Sequence, residues 1–99
     1  MEKNKKINLS LQVIPKVPSH IHVYDVVDKA IEVIQKSGLT YEVGPMETTM
    51  EGEIDECLAV VKIAQEACIA YGASEVMSIV KIHYRPTGVT IDEKIKKYR

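Results

Sequence analysis

Ser37-Gly38-Leu39-Thr40-Tyr41-Glu42-Val43-Gly44-Pro45-Met46-Glu47-Thr48-Thr49-Met50-Glu51-Gly52 is the stretch on which the fold turns. Its opening Ser-Gly ends a helix, because Gly38 suits the left-handed position just past a helix C-terminus. Leu39–Met46 then reads as a strand, with Tyr41 and Val43 on one face and Thr40 and Glu42 on the other. Gly44-Pro45 bends the chain into a short third strand, Glu47–Glu51, and Gly52 frees it to enter a second helix.

Working outward toward the N-terminus, Val23, Val26, Val27, Ala30, Ile31 and Ile34 fall at offsets 0, 3, 4, 7, 8 and 11. They form one stripe of an amphipathic helix whose Asp25, Asp28, Lys29, Glu32 and Lys36 turn to water. Before it, Ile7, Leu9, Leu11 and Val13 alternate with Asn8, Ser10 and Gln12, the period-two signature of a half-buried strand. Pro15 and Pro18 are expected to end that strand, since proline donates no ladder bond. Residues 1–6 are a polar, lysine-rich lead-in, expected to fray.

Toward the C-terminus, Ile54, Cys57, Leu58, Val61, Ala64, Cys68 and Tyr71 predict the core stripe of the second helix, closed by Gly72. From Ser74 a fourth strand sets Val76, Ser78, Val80, Ile82 and Tyr84 against Met77, Ile79, Lys81 and His83. Arg85-Pro86 stops it. Ile91–Tyr98 predicts a terminal helix whose Lys94, Lys96 and Lys97 lie where the helix dipole favours cations. The order β-α-β-β-α-β, with right-handed crossovers, predicts a ferredoxin-like α+β sandwich. Its antiparallel sheet has strand order 4-1-3-2, with both helices on one face, as a single domain over residues 1–99.

Composition narrows the function. The 99 residues carry 13 basic and 14 acidic side chains, a formal charge of −1, which argues against a nucleic-acid partner. No apolar run approaches the ~20 residues of a membrane span, and no signal-type segment follows the charged start, so no membrane partner and a cytoplasmic location are expected. Cys57 and Cys68 lie eleven residues apart on one expected helix, about 16 Å at its rise per residue, too far to bridge. They read as small buried hydrophobes in a reducing compartment. His20 and His22 form an H-x-H pair without a converging third donor, so no metal is expected. No nucleophile elbow, phosphate loop or dinucleotide fingerprint occurs, so neither catalysis nor a cofactor is expected.

The two helices cover one face of the sheet, and nothing else in the chain is expected to cover the other. That face would present Asn8, Ser10, Gln12 and Ile14 beside Met77, Ile79, Lys81 and His83. Apolar anchors mixed with neutral polar groups predict a face covered by a second copy, with small polar pockets at the seam; a solvated face is the alternative, since Lys81, His83 and Gln12 also suit water. The acids Glu53, Asp55 and Glu56 suit a helix N-terminus. Glu51 and Glu47 fall on the open-face parity, where a carboxylate can pair with an amino-heterocycle or organic cation. Tyr24, Tyr41 and Tyr84 are the mid-chain aromatics able to stack on a ring.

Ser37-Gly38-Leu39-Thr40-Tyr41, Pro45-Met46-Glu47-Thr48-Thr49-Met50-Glu51-Gly52-Glu53, Asp55-Glu56 and Lys81-Ile82-His83-Tyr84-Arg85 together resemble the MTH1187/YkoF-like family of thiamine-binding proteins. The likeness runs from about Ile7 to Tyr98. It implies a ferredoxin-like protomer assembled as a homodimer or homotetramer, binding thiamine or its hydroxymethylpyrimidine moiety without catalysis. On this reading Glu51 and Glu47 meet charge and amino groups, while Thr48, Ser10 and Gln12 orient the ligand. Tyr24 or Met46 contacts the ring. Three departures stand out: Glu47 replaces the family's usual glycine, His22-Val23-Tyr24 stands where serines are common, and Glu51-Gly52-Glu53 replaces Glu-Gly-Asp. Two other readings stay open: a small dimeric α+β-barrel enzyme with His83 or His22 as general base, and a ligand-free interaction module.

Overall fold

The alternation that starts at Ile7 becomes strand β1 (Ile7–Lys16), and it continues straight through Pro15. The computed structural model describes residues 5–99; of the expected frayed lead-in, residues 1–4 lie outside the described residues. Helix α1 (Val23–Lys36) follows, then β2 (Thr40–Val43), β3 (Thr48–Gly52), α2 (Ile54–Tyr71), β4 (Glu75–His83) and α3 (Ile91–Ile95), which runs on into a 3-10 turn at Lys96–Tyr98. The sheet is antiparallel throughout, in the order β2-β3-β1-β4. This is the ferredoxin-like arrangement expected from the β-α-β-β-α-β order.

Pro15 does not stop β1, and the register explains why. β3 pairs with β1 only from Ile7 to Leu11, whereas β4 pairs with it from Asn8 to Lys16. From Gln12 onward one edge of β1 has no neighbour, so a residue lacking an N–H is tolerated there.

Leu9, Leu11 and Met50 from the sheet meet Val26, Ala30 and Ile34 of α1 and Cys57, Val61, Ala64 and Cys68 of α2 in one core. Cys57 and Cys68 are both free and buried. Burial pushes the Cys57 thiol up to about 11, with the neighbouring Glu56 charge adding to the effect, and it raises Cys68 as well. The expected stripe of α2 needs correcting: Leu58 and Tyr71 are exposed, and Val60 is buried instead. Tyr71 lies beneath the Lys29 ammonium, 5.1 Å from its ring centre, on the outside of the helix pair.

The expectation that nothing covers the second face also needs correcting. The C-terminal segment folds back over its lower half. Val89 is fully buried, its N–H donates to Lys6 O at 2.9 Å, and its carbonyl accepts from Asn8 Nδ2 at 3.4 Å. One residue pair further along, the Ile91 N–H donates to Glu51 Oε1 at 2.6 Å. Glu93 then closes the segment, accepting from the Arg85 guanidinium at 2.8 and 2.9 Å and from the Thr90 N–H at 2.8 Å. The upper part of the face, with Ile14, Met77 and Ile79 exposed, stays open.

The Arg85 hydrogen bonds, helped by Thr90, lower the Glu93 carboxyl from its ordinary 4.5 to about 2. A depressed carboxyl stabilises the fold above its unfolded-state value, and that contribution fades as pH falls through the folded one. Acidification from about 4.5 toward 2 is therefore expected to loosen the C-terminal segment first. The group is exposed, so the effect is local and modest. Hydrogen exchange should show the amides of residues 89–95 losing protection ahead of the core, and Glu93→Gln should reproduce the loss at neutral pH.

Candidate functional site

The early departure of β3 from β1 opens a slot. Beyond Leu11 the free edge of β1 runs beneath α1, while the link from β2 to β3 swings away in a tight turn closed by Gly44 N–H to Glu47 O at 2.9 Å. A Cβ on Gly44 would approach the Glu47 carbonyl oxygen to 2.8 Å, so this turn needs glycine. The resulting cleft, about 380 Å³, lies between β1, α1 and the turn. Leu11, Val13, Val27, Ala30, Ile31 and Ile34 supply apolar walls, and Gln12, Thr48 and Glu47 supply polar groups. Tyr24 and Met46, both largely exposed, stand at its margin.

Tyr24 is held by an unusual cap. His22 is the N-cap of α1; its Nδ1 accepts from the Tyr24 N–H at 3.1 Å, and the two rings sit 5.2 Å apart. An acceptor at that nitrogen means a ring without a proton on Nδ1. His22-Val23-Tyr24, the departure from serine, therefore keeps the capping function with a ring in place of a hydroxyl.

Of the seven residues the sequence nominates, Gln12, Tyr24, Met46, Glu47 and Thr48 are brought together along this cleft. Ser10 is not; it lies on the opposite face of the sheet, as its pairing with Thr49 dictates. Glu47 joins the two sides. One carboxylate oxygen accepts from Ser10 Oγ at 2.5 Å and the other from Lys81 Nζ at 3.0 Å. The Ser10 hydrogen bond, then that of Lys81, lowers the Glu47 carboxyl below its usual value, so it is ionised at neutral pH. The carboxylate that replaces the family's glycine thus spends its charge inside the protein. Glu51 stands apart from the cleft: it is buried and committed to the Ile91 N–H.

The walls contributed by Val27, Ala30 and Ile31 were part of the helix stripe in the sequence, with nothing to separate a cleft wall from core. His22 and His83 are both exposed, neither enclosed in an apolar pocket as a tuned general base would be. Among the described residues, no group of three or more His, Cys, Asp or Glu side chains is placed to hold a metal ion. No helix of the described chain is long and apolar enough to cross a membrane. Apolar walls with a few polar groups on one margin suit a flat heterocycle held at its edge.

Comparison with known proteins agrees with this architecture. The family model described as thiamine-binding protein matches residues 9–99. A UPF0045 protein of Clostridium perfringens is 58% identical over 92 residues, covering 93% of this chain and 96% of the relative. A UPF0045 protein of Methanothermobacter thermautotrophicus is 34% identical over 80 residues, covering 80% of this chain and 81% of the relative. Among solved structures, a Bacillus cereus domain of unknown function, DUF77, superposes with a TM-score of 0.91 at 59% identity, covering 97% of this chain and 92% of that one. A Thermotoga maritima structure, described provisionally as a thiamine biosynthesis/salvage protein, gives a TM-score of 0.85 at 38% identity over 95% of this chain and 99% of that one. With the family model spanning nearly the whole chain, and one relative at 58% identity matched almost end to end, the chain belongs to the thiamine-binding protein family.

Proposed function

We propose that the protein binds thiamine or its hydroxymethylpyrimidine moiety, without chemical conversion, in the cleft between α1 and the free edge of β1. The observation that carries this reading is the meeting of Gln12, Tyr24, Met46, Glu47 and Thr48 along one cleft of about 380 Å³. That volume falls in the range of small-ligand pockets. An aminopyrimidine ring lies between Val27 or Ile31 and Val13, with its edge nitrogens toward Gln12 and Thr48. Tyr24 and Met46 cover its outer side. Glu47, already held by Ser10 and Lys81, borders the cleft without a free charge to offer the ligand.

The protein works as a homodimer or homotetramer in the cytoplasm. Ile14, Met77 and Ile79, exposed together above the C-terminal segment, offer the apolar contact for a second copy. Sedimentation that returns a monomer at micromolar concentration removes this part of the reading.

Titration calorimetry against thiamine and hydroxymethylpyrimidine tests the binding. Gln12→Ala is expected to weaken it about tenfold, a loss of ~1.4 kcal/mol, and Val27→Trp to abolish it by filling the slot. Both variants should unfold close to the wild type, because neither residue is fully buried. No heat and no thermal shift at ~1 mM ligand, where even weak sites register, would defeat the reading.

A further inference from the structure

On the other face of the sheet a second cavity, about 420 Å³, lies against the folded-back C-terminal segment. Asn8, Ser10 and Thr49 are among the strand residues lining it, Lys81 and His83 come from β4, and Ile91, Lys94 and Ile95 come from α3. Gly44 and Glu47 line both this cavity and the cleft on the other face.

Its charges are unevenly committed. Glu47 is neutralised by Lys81, and Glu42, also at the cavity, accepts from the Arg99 guanidinium at 2.9 Å. Both acids of the lining are therefore satisfied. The groups left over are donors: Lys94 has no ion pair or hydrogen bond among the described residues, and neither do His83 and the Thr49 hydroxyl. Desolvation and, less strongly, the nearby Arg85 charge lower the Lys94 ammonium, against the opposing pull of Glu93. Asn8 adds a second, independent sign. It is almost wholly buried, and its Oδ1 is the one buried side-chain polar atom among the described residues without a hydrogen-bond partner. Such an orphan is costly, and because a carbonyl oxygen accepts, what it lacks is a donor, which a ligand hydroxyl rather than its anionic group would supply.

We propose that this cavity is a second binding site, taking a small hydroxylated organic anion whose carboxylate or phosphate group lies between Lys94 and His83. The hydroxyl of Thr49 donates to the same group, and Ile91 and Ile95 pack against the ligand's carbon skeleton. The shared chemistry is a compact anion with hydroxyls; whether its charge is a carboxylate or a phosphate monoester is decided by experiment. This inference does not depend on the cleft, since its probes and its reporter residues are different.

The test uses the full chain, labelled with nitrogen-15, titrated separately with glycerol 3-phosphate and glycerate. Saturable amide shifts at residues 8, 49, 83 and 94, with a midpoint near ~1 mM, are expected for at least one of the two. The tighter probe identifies the charged group. Lys94→Ala should weaken binding about tenfold, Lys94→Arg should restore most of it, and Lys36→Ala, on the far side of α1, should change nothing. Shifts that fail to saturate by ~50 mM, far above any specific site, overturn the proposal. So does binding of equal strength in Lys94→Ala.

Discussion

Leu9→Ala is expected to remove about 3 kcal/mol of stability, within the range for a buried leucine cut to alanine. Leu9 is completely buried at the centre of the sheet, flanked by Met50 on β3 and Ile82 on β4, and it faces both helices. No neighbour can swing into the space, because it lies between two paired strands and a packed helix layer. A chain of this size has only about 5–15 kcal/mol in hand, so the variant approaches the margin of folding. Chemical denaturation should show a lower midpoint with an unchanged slope, the mark of lost stability rather than an altered unfolded state. Ile14→Ala, on the same strand but exposed beyond the reach of β3, is the control and should cost well under ~1 kcal/mol. Equal losses for the two would contradict the packing described here.

Glu51→Ala carries the second large effect, about 2 kcal/mol, the scale of a buried hydrogen bond to a charged group. The substitution leaves the Ile91 N–H without an acceptor and untethers the segment that covers Val89 and Asn8. Glu51→Gln keeps a carbonyl oxygen in the same place and should lose roughly half as much. Hydrogen exchange localises the result: protection at residues 89–91 collapses in Glu51→Ala and survives in part in Glu51→Gln. If the two variants behave alike, the contact to Ile91 is not what holds the segment.

Glu51 also shows where sequence reasoning stops. Its parity was legible, since alternation along every strand places Asn8, Ser10, Glu51, Lys81 and His83 on the face away from the helices. What occupies that face was not. Val89 and Ile91 are two apolar residues beyond a turn, and no period over so short a stretch announces that they fold back onto β1 and β3. Pro15 misled for a related reason: the rule against proline in strands concerns paired edges, and whether an edge is paired is a tertiary fact. The second helix was ambiguous in its own way. Apolar residues surround most of α2, so spacing alone could not choose between Leu58 and Val60 for the core. The candidate cleft was half legible. Its polar residues came from motif resemblance, while Val27, Ala30 and Ile31 look the same in sequence whether they wall a cleft or fill a core.

The two sealed thiols give the molecule a built-in clock. Neither Cys57 nor Cys68 exposes any surface, and both sulfurs are poor nucleophiles while the helices stay packed. A maleimide added to the folded protein therefore waits for α2 to lift away, and its uptake counts openings rather than collisions. Mass spectrometry of labelled and unlabelled molecules over hours would report the frequency of that event directly, with no denaturant and no engineered probe.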